Sequence, residues 1–183
     1  MKNKYIDFIE QSFDFPQEEF KLTDDHSLIW QDVDVKNLIE KYGTPLKVRY
    51  LPKISENIQL AKKWFADAIK EHDYSGEYHY SYCTKSSHFS HVLDEALKNN
   101  IHIETSSAFD IEIVKRLKKD GKIDDKTFVL CNGFKRDQYI DNIIELINSG
   151  EYNCIPIIDN FEEIHLIHNK AKRKFDIGIR IAS

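Results

Sequence analysis

Lys85 closes the segment Glu77-Tyr78-His79-Tyr80-Ser81-Tyr82-Cys83-Thr84-Lys85, a run dense in aromatic residues with the composition of a strand. An ammonium held against apolar neighbours loses hydration, which favours the neutral amine. A neutral amine can attack an aldehyde and form a Schiff base. The plain alternative is a lysine that emerges into solvent where its strand stops, since buried lysines are rare. Two further charges stand inside apolar runs. Glu104 lies between Ile103 and Thr105, and Arg180 between Ile179 and Ile181. A charge so placed needs a partner or a ligand. Asn132 and Asp159 also end apolar runs, but Asn132-Gly133 and Asp159-Asn160 read as turn or cap chemistry. His88 and His91 fall in the first turn of an expected helix and read as solvent-exposed. The three cysteines, Cys83, Cys131 and Cys154, each fall in an expected strand and share no zinc-ligand spacing. They read as reduced, cytosolic thiols that fill small core positions, and no metal site is expected.

The elements that must position these residues alternate from residue 77 onward. Strands are expected over Glu77–Thr84, Ile101–Glu104, Thr127–Cys131, Asn153–Ile158 and Phe175–Ile181. Helices are expected over 88–99, 108–119, 136–149 and 160–170. Tyr139, Ile140, Ile143, Ile144 and Ile147 recur at helical spacing, so one face of that helix is buried. Ser106 or Ser107 can cap the helix that starts near Ala108. Alternation of this kind builds a parallel sheet, either doubly wound or a (β/α)8 barrel. The first turn, Lys85-Ser86-Ser87-His88, lacks the glycine-rich phosphate loop of the dinucleotide fold. Lys85, Glu104, Asn132, Asp159 and Arg180 each follow an apolar run, which suits the carboxyl-terminal face of a barrel. The fold class expected is α/β: about five parallel strands of a (β/α)8 barrel over 46–183, after an amino-terminal α+β segment over 1–45. Within residues 1–50, a helical arm is expected over 1–25, strands at Ser27–Val33 and Leu46–Tyr50, and a helix at Val35–Tyr42. Ser55–His72 reads as a helix whose Trp64-Phe65 pair packs into the core.

Composition limits the classes of function. With 183 residues, 41% hydrophobic and 31% charged, the chain can build one domain with a proper core. A net charge of -5 and no isolated basic block leave no footprint for nucleic acid. Lys172-Arg173-Lys174, the densest basic cluster, reads as a solvated loop. No apolar run approaches membrane-spanning length, and Met1-Lys2-Asn3-Lys4 lacks a signal-peptide core, so a cytoplasmic setting is expected.

Five motifs, in order, resemble one enzyme family. They are Tyr42-Gly43-Thr44-Pro45-Leu46 with Lys47-Val48-Arg49-Tyr50, then Tyr82-Cys83-Thr84-Lys85, then Glu104-Thr105-Ser106-Ser107-Ala108-Phe109-Asp110, then Cys131-Asn132-Gly133-Phe134-Lys135, and Ile179-Arg180-Ile181-Ala182-Ser183. Together, over about residues 27–183, they resemble the fold-type III pyridoxal-phosphate decarboxylases, which have an alanine-racemase-like barrel, and within these the arginine decarboxylase branch. The resemblance implies pyridoxal 5'-phosphate as cofactor, a basic amino acid as substrate, polyamine biosynthesis as setting and a homodimer or larger assembly for the complete enzyme. It implies that Lys85 holds the cofactor, that Glu104 lies near it, that Asp110 supports the site from behind, and that Arg180 reaches the cofactor ring. It further implies that the chain is an amino-terminal fragment, with the rest of the barrel and a β-rich domain beyond Ser183, and that alone it lacks decarboxylase activity. Ornithine, lysine, diaminopimelate and carboxynorspermidine remain alternative substrates. A racemase or a cofactor-carrier protein of the same barrel type fits less well with the Glu104/Asp110 pair and the long amino-terminal segment. A non-catalytic half-barrel that binds a partner is the reading from a different class.

Overall fold

The computed structural model describes residues 19–25 and 27–181. The chain divides into two compact units, one up to Tyr50 and one from Leu51 onward. Most of the helical arm expected over 1–25 lies outside the described residues. Its last part is a strand instead, β1 (Phe20–Leu22), because its backbone pairs antiparallel with β2 (Leu28–Trp30). The strand expected over Ser27–Val33 is split. Gln31 and Asp32 take positive φ, turning the chain back into β3 (Val33–Asp34). Asp34 then caps α1 (Val35–Tyr42), its carboxylate accepting from the Lys36 and Asn37 N–H groups. Phe20 stacks on Trp30, and Tyr50 meets Trp30 edge-on at 6.0 Å. Leu46–Tyr50, expected as a strand, is extended but joins no sheet among the described residues.

In the second unit, Pro52 opens α2 (Pro52–Glu71), where a missing N–H costs nothing. Four βα steps and a fifth strand follow among the described residues, with a parallel sheet in chain order: β4 (Ser81–Cys83), β5 (His102–Thr105), β6 (Phe128–Cys131), β7 (Asn153–Ile158) and β8 (Gly178–Ile179). Between them run α3 (Ser90–Leu97), α4 (Ala108–Lys119), α5 (Asp137–Ser149) and α6 (Phe161–Lys170). β4 and β8 are shorter than expected, for each is an edge strand with a single neighbour to hold its backbone.

Burial alternates along β5, β6 and β7, so one face of the sheet is covered and the other is half-open. The covered face carries Ile103, Val129, Cys131, Cys154 and Ile158. Leu93 of α3, Ile111 and Val114 of α4, Ile140 and Ile143 of α5 and Ile167 of α6 pack with them in one core. Each such buried aliphatic side chain stabilises the fold by about 1.5–3 kcal/mol. Helices on one face only make this a partial (β/α) barrel; a doubly wound sheet buries both faces.

α2 contributes Ile58, 1% exposed, to a satellite cluster with Ala96 and Ile101. Trp64 and Phe65 are not core residues as expected. They are 62% and 50% exposed, because the buried stripe of α2 runs through Ile54 and Ile58, and Phe65 instead stacks on Tyr78.

Candidate active site

Parallel strands place all their carboxyl ends at one edge of the sheet, and the sequence-flagged polar residues gather there. β4 stops at Cys83, and a turn closed by Ser86 N–H on the Cys83 carbonyl (3.1 Å) follows. Lys85 sits in that turn and is exposed. The lysine is therefore not pressed against apolar surroundings as expected: the strand ends at Cys83, two residues before the lysine, which swings it out of the sheet. Its ammonium forms no hydrogen bond or ion pair with the described residues. Thr84, fully buried, anchors the turn from beneath by giving both its N–H and its hydroxyl to the Glu104 carbonyl.

Glu104 stands opposite Cys83 in the β4–β5 register, on the half-open face. Its Oε1 accepts from Asn132 Nδ2 at 3.0 Å and from the Cys83 thiol at 3.6 Å. The partner that a charge in an apolar strand demands is thus an amide one strand away. Asn132 also forms the turn expected of Asn-Gly, its Oδ1 accepting from Gly133 N–H at 2.8 Å. Gly133 has φ +80°, and a Cβ there would lie 3.4 Å from the Ser106 carbonyl, so glycine suits both the backbone and the space.

Cys83 departs from the expected core role. It is half-buried on the open face, and burial foremost pushes its thiol above the ordinary value. The Lys85 backbone N–H lowers it and the Glu104 carboxylate raises it again. Cys131 and Cys154 do fill the core, on the helix side, with sulfurs 3.7 Å apart.

Behind the open face lies a buried polar layer. Tyr139 OH meets Thr105 Oγ1 at 2.8 Å and donates to the Asn132 carbonyl at 3.3 Å. Burial drives the Tyr139 phenol far above its usual range. Asp110, 5% exposed, accepts from the Ser106 N–H and hydroxyl, while Ser107 caps α4. Asp110 thereby fixes the loop after β5 and, among the described residues, forms no hydrogen bond or ion pair with Glu104 or Lys85. Arg180 follows β8 at the far edge of the sheet from Lys85. It reaches Asp159 at 3.7 Å and stays half exposed. The structure therefore joins Lys85, Cys83, Glu104 and Asn132, and leaves Arg180 apart from them.

Sequence reasoning missed Lys135 and Glu163. Both are buried and meet at 3.0 Å. Glu163 also accepts from the Lys135 and Asp159 N–H groups, and Lys135 Nζ donates to the Gly133 and Ile157 carbonyls. The Asn160-to-Glu163 spacing carried part of this signal, for it is close to a capping box. His88 and His91 are exposed, as expected. Lys172, Arg173 and Lys174 are exposed too. Among the described residues no group of three metal-ligating side chains forms, and no helix is long and apolar enough to cross a membrane.

No family model matches the chain. It is 26% identical over 155 residues to a biosynthetic arginine decarboxylase of Gloeobacter violaceus, covering 82% of this chain and 22% of that protein. The enzyme of the same name in Bacteroides thetaiotaomicron is 24% identical, with 81% and 25% covered. The chain is similar in sequence to proteins named biosynthetic arginine decarboxylase. It spans about a quarter of the length of these curated relatives. In fold, it matches the crystal structure of the biosynthetic arginine decarboxylase SpeA from Campylobacter jejuni with a TM-score of 0.68 and 19% identity, over 98% of this chain and 31% of that one.

Proposed function

We propose that this chain carries the lysine end of the active site in a pyridoxal-phosphate-dependent decarboxylase that acts on arginine and makes agmatine. The carrying observation is the exposed amine of Lys85 on a turn tied to Glu104, in a chain whose curated relatives are named biosynthetic arginine decarboxylases. The residues fit the part of the cofactor they would hold. Lys85 offers, for its aldehyde, a primary amine that forms no hydrogen bond or ion pair with the described residues, and Glu104 Oε2 forms no hydrogen bond with them, so it can accept one. When bound, the cofactor supplies that aldehyde and a ring that accepts the electrons left behind by departing carbon dioxide.

The chain's own residues supply placement. The Cys83–Ser86 turn holds the amine at the mouth of the open face, and its exposure lets it reach a carbonyl carbon and later take back a proton at Nζ. Glu104 Oε2 orients a donor on the bound group and adds negative charge beside it. Arg180, at the opposite edge, would act only when the sheet curls to bring β8 round toward β4.

The test is borohydride reduction of the full-length protein with pyridoxal phosphate, followed by peptide mapping and carbon dioxide release from labelled arginine, ornithine and lysine. A pyridoxyl group on Lys85 and release from arginine are expected. Labelling confined to other lysines would overturn the site, and preference for ornithine or lysine would overturn the substrate.

A further inference from the structure

We infer that Asn132 is a positioning residue: it sets the carboxylate of Glu104 and, through Cys83, the turn that carries Lys85. This rests on the function proposed above for Lys85 and Glu104.

The contacts form one chain across three strands. Ser86 N–H closes the Lys85 turn on the Cys83 carbonyl, the Cys83 thiol faces Glu104 Oε1, and Asn132 Nδ2 donates to that same oxygen. Asn132 Oδ1 accepts from Gly133 N–H. That last bond fixes which way the amide points. A backbone N–H can only donate, so the atom facing it is the oxygen, and the NH2 group is turned to the carboxylate.

Asn132 is held independently of Glu104. Its N–H donates to the Thr105 carbonyl at 2.9 Å, and its carbonyl accepts from Tyr139 OH, a group sunk in the core. Among the described residues, the Glu104 side chain is held only by Asn132 and, at 3.6 Å, by the Cys83 thiol. The rigid partner is therefore Asn132, and the carboxylate follows it.

A turn alone does not require this. An Asn-Gly turn uses only the side-chain oxygen and leaves the NH2 to water. Here both ends of the amide are engaged, which a serine is too short to do and an aspartate cannot do without facing Glu104 with a second negative charge. With Oε1 taken by two donors, the carboxylate presents Oε2 in a defined plane toward the open face.

The experiment uses the full-length protein with Asn132→Ala, Glu104→Gln and the double variant. The readout is the alkylation rate of Cys83 against pH, followed on its own peptide by mass spectrometry. Cys83 senses the nearby carboxylate, so losing the orientation of Glu104 should move the alkylation midpoint to lower pH and speed the reaction several-fold at neutral pH. The two single variants should shift alike, and the double no further, since Asn132 acts through Glu104. Asn132→Ser repeats the test with a neutral side chain too short to reach Glu104, should the alanine variant not fold. An alkylation profile unchanged in Asn132→Ala or Asn132→Ser, or shifts that add in the double variant, would overturn the inference.

A second arm follows pyridoxal phosphate and borohydride labelling of Lys85, expected to be several-fold slower in Asn132→Ala. Labelling at an unchanged rate would also overturn the inference. Absence of label on Lys85 in the unaltered protein would instead defeat the proposed function, while the alkylation arm would still decide whether Asn132 sets Glu104.

Discussion

Lys135 and Glu163 form an ion pair at 3.0 Å with both side chains withdrawn from solvent. The pair joins the loop after β6 to the first turn of α6. The remaining valences of both groups go to backbone: the carbonyls of Gly133 and Ile157 on one side, the N–H groups of Lys135 and Asp159 on the other. Removing one member strands the other. Lys135→Met is expected to cost about 3–5 kcal/mol in urea unfolding, whereas Lys135→Met with Glu163→Gln should recover part of that loss. Equal loss in the single and double variants would show that the charge left unpaired is not the cause.

Lys85 has the opposite profile, exposed and without an ion pair or hydrogen bond to its ammonium among the described residues. Lys85→Ala should leave the unfolding free energy within about 0.5 kcal/mol while abolishing cofactor labelling at the mapped peptide. A large drop in stability would mean that the lysine serves the fold.

His102 accepts the Phe128 N–H at Nδ1 (3.0 Å), and its Nε2 lies 3.2 Å from His79 Nδ1. That first bond needs an unprotonated Nδ1. Burial foremost, then His79 and Lys62, holds the His102 pKa below the usual histidine value. The unfolded chain therefore takes up its proton at higher pH than the folded chain does. Stability should be full above the unfolded value, about 6.5, and fall as pH drops through the lower folded value. Unfolding midpoints from pH 8 to pH 5 check this. The fall should flatten in His102→Asn, whose side-chain oxygen can still accept from Phe128.

The cysteines should separate by reactivity. Cys83, half-buried on the open face, should be alkylated in the native protein, while Cys131 and Cys154, at 0% and 5% exposed, should react only on unfolding. Peptide mapping after brief and denaturing treatments distinguishes them.

Much of this was legible in the sequence, and for identifiable reasons. The helix Ala108–Lys119 and the strand Asn153–Ile158 fall where periodicity put them, since both are central elements with strong apolar patterns. Edge elements were less legible. β4 and β8 shrink and Leu46–Tyr50 joins no sheet among the described residues, because pairing is decided by a neighbour that local sequence does not contain. In the site, Glu104 stood out as a charge in an apolar run. Its partner did not: Asn132 looks like a turn residue, and is one, so its second role shows only once β5 and β6 lie side by side. Lys135 and Glu163 were hidden for a similar reason. Each lies in a polar loop or helix start where a charge is ordinary, and only the approach of the two loops buries them.

The strict chain order of the sheet, β4 to β8, also bears on how the protein is made. Every strand of this sheet after β4 pairs with the one synthesised just before it, and Lys85, Glu104 and Asn132 belong to three consecutive additions. At a synthesis rate of about 5–20 residues per second, successive strands leave the ribosome roughly one to five seconds apart. Each new strand therefore meets a preformed edge, and the Lys85–Glu104–Asn132 arrangement can be complete before β8 exists. Inserting slow codons between β5 and β6 would lengthen the time that the edge of β5 waits uncovered, a stage at which aggregation during synthesis would be most readily provoked.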